Sequence, residues 1–124
     1  MATYLTPNFT VEEFLCPCGD CGGGMISIDL VMVLQDLRDQ VGRPIYISEG
    51  GGVRCSVYNA SLRLSSPRSQ HLNAKAADIT IEGLDVVTTW RICLLEPRFT
   101  GLGYYLTHTH VDIRPGPRVF WSSR

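Results

Sequence analysis

Three histidines and two aspartates fall in two short segments and have the types and spacing to act together. The first segment is Ser69-Gln70-His71-Leu72-Asn73-Ala74-Lys75-Ala76-Ala77-Asp78, and the second is His108-Thr109-His110-Val111-Asp112. Neutral imidazole and carboxylate are zinc ligands, and a catalytic zinc takes three of them and leaves its fourth position to water. His71 and Asp78 can converge on one ion if the chain turns after His71 and enters a strand near Ala76. A strand repeats its faces every second residue, so His108, His110 and Asp112 share one side. One of them can bind metal while another reaches the bound water. Taken singly, each reads more readily as a surface histidine or a strand-end carboxylate. Their joint placement beside glycine-rich stretches is what points to a metal site.

The five cysteines are a second set. Cys16, Cys18 and Cys21 lie two and three residues apart, one gap of the usual zinc-knuckle length and one tighter, and with Cys55 as a fourth ligand they could hold a structural zinc. A reduced, glycine-softened loop with incidental thiols is an alternative reading, and a Cys18–Cys55 disulfide is another. Cys93 sits among Ile92, Leu94 and Leu95 and reads as core.

These residues need elements to position them. Thr10-Val11-Glu12-Glu13 has the form of a capping box and predicts a short helix to about Leu15. Ser27 is a suitable N-cap for a second helix, in which Leu30, Val33, Leu34, Leu37 and Val41 recur at helical spacing before Gly42. Pro44 to Ser48 predicts a strand entered through proline. Glu49 to Pro67 reads as a long irregular stretch, of the kind that is commonly functional. Ala76–Ile81, Leu102–Leu106 and Thr109–Arg114 read as strands, and Leu84–Leu95 as a third helix. Phe120 and Trp121 are expected to pack back onto the core. Helices early and late around a few short strands predict an α+β fold in a single domain spanning 1–124.

With 124 residues, 44% of them hydrophobic and 19% charged, the chain has an ordinary globular mix rather than that of a disordered one. A net charge of −1 offers no signature of nucleic-acid or anionic-membrane binding. No apolar run approaches the roughly 18–20 residues that span a bilayer. Met1–Thr10 has neither a basic start nor an apolar stretch, so no signal peptide is expected.

Several segments together resemble the zinc D-Ala-D-Ala carboxypeptidase and peptidoglycan endopeptidase family, in the fold group that also holds the vancomycin-resistance dipeptidases and the hedgehog signalling domain. Phe9-Thr10-Val11-Glu12-Glu13-Phe14 resembles its opening helix, and Arg54-Cys55-Ser56-Val57-Tyr58-Asn59 its arginine segment. Ser69 to Ile79 resembles its first zinc motif. Gly101-Leu102-Gly103-Tyr104-Tyr105 and His110-Val111-Asp112-Ile113-Arg114, with Trp121 beyond, resemble its closing hairpin.

The resemblance implies a small central antiparallel sheet with flanking helices and one catalytic zinc held by His71, Asp78 and His110. Arg54 would face the substrate carbonyl or carboxylate, and Ser69 would orient the His71 or Asp78 side chain. Many members carry Glu or Asp three residues before the last zinc histidine, where this chain has Thr107. Asp112 is therefore the expected general base, with His108 stabilising the oxyanion or shuttling the proton. Asp112 as a brace for the metal or a partner of Arg114 is the alternative. Ala74 stands where the family usually has glycine, and Gly50-Gly51-Gly52 lengthens the turn before Arg54. The implied activity is hydrolysis of a peptide bond in peptidoglycan stem peptides by a monomer, reaching the wall through a holin-type release or in a virion. A non-catalytic zinc-binding module of a phage particle is the rival expectation.

Overall fold

The computed structural model describes residues 2–62, 66 and 68–122. Strands β1 (Tyr4–Thr6) and β2 (Phe9–Thr10) form a small antiparallel pair, followed by a 3-10 turn over Val11–Phe14. The capping box is present there: the Glu13 carboxylate accepts from the Thr10 amide at 2.6 Å and from its hydroxyl at 3.0 Å. Helix α1 (Ile28–Val41) buries Leu30, Val31, Val33, Leu34 and Leu37 and ends in left-handed Gly42. Ser27 stands at its N-cap without a capping side-chain bond, and its amide donates instead to the Ala74 carbonyl at 2.8 Å.

The main sheet has the order β3-β4-β6-β5-β7, from β3 (Ile45–Ile47), β4 (Ala76–Ile81), β5 (Gly101–Tyr104), β6 (Thr109–Asp112) and β7 (Val119–Ser122). It is antiparallel except for β7, which runs parallel to β5. The expected central antiparallel sheet is present as β3-β4-β6-β5, and β7, expected only to pack onto the core, makes the whole sheet mixed. The chain crosses back after Arg114 instead of turning through a tight hairpin, so the last strand enters in the same sense as β5. Phe120, expected to pack inward, is exposed, while Trp121 is half-buried and lies over the sheet.

Helix α2 (Ser56–Ser61) stands inside the stretch read as irregular. It is capped by the Cys55 sulfur, which accepts from the Tyr58 amide. Positions 63–65 and 67 of that stretch lie outside the described residues. Helix α3 (Val86–Leu94) begins two residues later than expected because Asp85 caps it, accepting from the Thr88 amide at 2.8 Å.

The period of two explains how the sheet separates packing from chemistry. Ala77, Ile79, Ile81, Leu102 and Val111 join the core with α1, Phe9, Phe14 and Phe99. The intervening residues Asp78, His110, Asp112, Gly101 and Gly103 therefore point to the opposite face.

Candidate metal centre

Asp78 on β4 and His110 on β6 are direct cross-strand partners, so one face of the sheet brings them together. His71 arrives from a 3-10 turn over Gln70–Asn73 that precedes β4. The turn closes with Ala74 in the left-handed region at φ 57°. Its geometry is the one the seven-residue spacing of His71 and Asp78 requires: a turn, then a strand from Ala76.

Three atoms meet at the centre. His71 Nε2 lies 3.2 Å from Asp78 Oδ1, His110 Nδ1 lies 3.3 Å from the same oxygen, and the two nitrogens are 3.2 Å apart. All three residues are buried. A tetrahedral zinc with ligands at about 2.0–2.1 Å sets its ligand atoms roughly 3.3–3.4 Å apart. The triangle has that size.

The protons point the same way. His71 Nδ1 faces the Gly52 carbonyl at 2.8 Å, and His110 Nε2 faces the Asp112 carboxylate at 2.7 Å. Both of those partners are acceptors, so both ring protons point outward and the inner nitrogens keep their lone pairs. Asp78 Oδ1 is buried and has no hydrogen-bond partner despite its short approaches to the two nitrogens. Three inward acceptors this close repel one another unless a cation sits among them. Protonation trends agree. Burial disfavours the imidazolium of His110, yet Asp112 and Asp78 together hold its pKa above the ordinary 6.5. Burial likewise opposes ionisation of Asp78, yet His110 and His71 hold it far below the ordinary carboxylate range. The pocket demands positive charge, and His71, Asp78 and His110 fit a zinc ion.

Over these residues lies a cleft of about 730 Å³, lined in part by Arg54, Arg68, Tyr105, His108, Arg114 and Trp121. A match decides what kind of protein this is: the model of the peptidase M15 family covers residues 7–114.

The chain belongs to the peptidase M15 family. It is therefore a metallopeptidase by descent. No curated protein matches it by sequence.

The remaining expected M15 site residues fall into place unevenly. Arg54 lines the cleft but is pinned to the protein. Its Nη2 lies 3.1 Å from Asp78 Oδ2, its Nε donates to the Gly50 carbonyl at 2.8 Å, and its Nη1 reaches Asn59 Oδ1 at 3.4 Å. Its direct work is to fix Asp78. Ser69 caps the His71 turn by accepting from the His71 amide at 3.2 Å, so it orients backbone and not the side chains expected of it. Asp112 is fully buried. Its Oδ2 meets His110 at 2.7 Å and Arg114 Nη2 at 2.6 Å, and its Oδ1 accepts from Arg114 Nε at 2.9 Å and the Arg114 amide at 3.1 Å. Those partners hold its pKa well below the usual carboxylate range against the opposing effect of burial. His108 precedes β6 and still reaches the site, with Nε2 3.7 Å from Asp78 Oδ2 and the ring stacked on Tyr105 at 4.6 Å.

Sequence reasoning passed over Tyr105, Gly52 and the second role of Trp121. Trp121 packs against His110 at 5.0 Å, lies under Arg114 at 5.1 Å and donates to the Tyr105 hydroxyl at 3.0 Å. The glycine run before Arg54 was the available signal for Gly52. Its backbone lies so close to Phe14 that a Cβ would stand 2.6 Å from the Phe14 carbonyl oxygen.

Proposed function

We propose that this M15 protein is a zinc peptidase that hydrolyses a peptide bond in the stem peptides of peptidoglycan. The observation that carries the reading is the triangle of inward acceptors on His71, Asp78 and His110, opening onto a cleft with basic residues at its wall. Zinc bound there supplies a Lewis acid for the scissile carbonyl and a water acidified toward neutrality.

The protein's own residues divide the other tasks. Arg54 holds Asp78 Oδ2 so that Oδ1 stays turned to the metal position. Asp112 fixes the His110 tautomer, and Arg114 fixes Asp112. A general base must reach the proton that it takes. Asp112 lies behind His110, on the ring nitrogen remote from the triangle, which favours the bracing role over the base role. His108 lines the cleft instead. Its Nδ1 lies 2.8 Å from the Thr107 hydroxyl oxygen. With Nδ1 donating there, Nε2, 3.7 Å from Asp78 Oδ2 beside the metal position, keeps its lone pair and can accept a proton, then return it to the leaving amine. Thr107, standing where many members carry a carboxylate, thus supports a histidine base at the next residue. Arg54 and Arg114 are matched by Asp78 and Asp112, so the Arg68 guanidinium at the cleft wall is the charge that favours a substrate bearing carboxylates, as stem peptides do.

The test is zymography on purified peptidoglycan, with fragments from defined muropeptides identified by mass spectrometry. Clearing that chelator abolishes and zinc restores is expected. Folded, zinc-loaded protein that leaves peptidoglycan and muropeptides intact would overturn the reading in favour of a non-catalytic module.

A further inference from the structure

The chain has a second cluster of metal-ligand type, joined to the first through the strap 52–55, in which Cys55 belongs to the cluster and the neighbouring Arg54 holds Asp78. The sulfurs of Cys16, Cys18, Cys21 and Cys55 all lie within 4.8 Å of one another. Cys18 and Cys55 Sγ are 3.7 Å apart. A zinc with four thiolates at about 2.3 Å sets its sulfurs roughly 3.8 Å apart, whereas a disulfide needs about 2.05 Å.

Each sulfur also accepts one backbone amide. Asp20 donates to Cys18 and Gly23 to Cys21 at 3.4 Å, Tyr58 to Cys55 at 3.4 Å, and Cys55 to Cys16 at 3.5 Å. Two of these bonds come from the same local device. Cys18 is followed by Gly19 at φ 82°, Cys21 by Gly22 at φ 81°, and in each case the next amide turns back onto the sulfur. Only glycine adopts that conformation without strain. Incidental thiols in a soft loop need no such repeat. Amide donors around sulfur stabilise thiolate and orient it, as outer partners of metal ligands do. Four thiolates this close require a cation between them.

We propose that Cys16, Cys18, Cys21 and Cys55 bind a second, structural zinc ion as a tetrathiolate site. The thiol protons leave as the metal binds. The site ties the segment 16–21, which among the described residues belongs to no helix or strand, to the residue next to Arg54. The same strap already accepts from His71 at Gly52 and donates to Phe14 through Val53 at 2.8 Å. This zinc therefore staples the wall behind the first centre, and its existence does not depend on the catalytic reading.

The experiment is metal analysis and cobalt substitution of the full chain and of a His71→Ala/His110→Ala variant. Two zinc ions per chain are expected in the wild type and one in the variant. The variant loaded with cobalt should show the near-ultraviolet thiolate-to-cobalt charge-transfer band and the visible bands of a tetrahedral site. A mercurial titrant should release that remaining zinc as four thiols react. A variant that holds no zinc and gives no thiolate band would overturn the proposal. If the variant does not fold, the wild type decides, because one zinc per chain and a cobalt spectrum without thiolate charge transfer contradict it equally.

Discussion

His108 and Asp112 stand on either side of His110 in sequence, and the structure gives them opposite surroundings. Asp112 is enclosed with Arg114 and His110, while His108 is half-buried at the cleft wall. Their substitutions should separate metal binding from turnover. Asp112→Asn breaks the pairing with Arg114 and loosens His110, so zinc affinity should fall roughly 10–100-fold in a competitive chelator titration. His108→Ala should keep a full zinc complement and lower kcat by about 10²–10⁴-fold on a muropeptide substrate. The reverse pattern, with Asp112→Asn keeping zinc and losing turnover, would return the base role to Asp112. Cys93 differs in kind from the four clustered thiols: burial alone pushes it up to about 12, which makes it inert core.

At the scale of elements, the join between the His71 turn and β4 carries a visible cost. Ala74 is the one non-glycine residue at positive φ among the described residues, at 57°. Its amide closes the turn onto Gln70 and His71, and its carbonyl receives the Ser27 amide, so the conformation is held from both sides. An alanine there costs about 1 kcal/mol relative to glycine. Ala74→Gly should raise the unfolding free energy from urea titration by that amount, with a higher midpoint at unchanged slope and unchanged zinc content. An unchanged or lowered midpoint would show that the turn is not strained. Strand β5 shows the converse. Gly101 lies against the Asp112 carboxylate and Gly103 against the Trp121 indole, and a Cβ at either position would displace the group it faces. Two glycines in one strand thus leave room for the brace on His110.

Over the whole molecule, the end of α3 is fastened to other parts of the chain by arginines. Arg118, just before β7, donates to the Leu94, Glu96 and Phe99 carbonyls at 2.9–3.0 Å. Arg98 grips the buried Glu96 through Nη2 at 2.7 Å and Nε at 3.1 Å, and reaches Asp36 on α1 at 2.8 Å. The Arg98 side-chain bond holds the Glu96 carboxyl below its ordinary 4.5. A carboxyl lowered by folding stabilises the fold above its unfolded value, and that contribution is lost as pH falls through the folded value. Arg98→Gln should cost about 1 kcal/mol at neutral pH, a figure reduced for the half-exposed guanidinium. The gap in urea midpoint from the wild type should shrink as pH drops below 4.5. A gap independent of pH would mean that the charge pairing is not its source.

Whatever local geometry controls was legible in the residues alone. The spacing of Leu30, Leu34 and Leu37 made α1, the alternation along β4 and β6 put Asp78 and His110 on one face, and the turn before Ala76 brought His71 to them. These follow from the fixed periods of helix and strand, which hold whatever the rest of the chain does. Tertiary packing set whatever depends on which surfaces meet. It made β7 parallel, left Phe120 outside, and turned Arg54 onto Asp78. It closed Asp112 behind His110 beneath the glycines of β5, and of the readings open for the cysteines it chose the one that sets the Cys55 sulfur within 4.8 Å of the other three. None of these has a local period to reveal it. A side chain's role at such places is set by the partner that packing brings to it: for Arg54 and Cys55 that partner lies tens of residues away, and for Asp112 it is the enclosing sheet face that turns two near neighbours onto it.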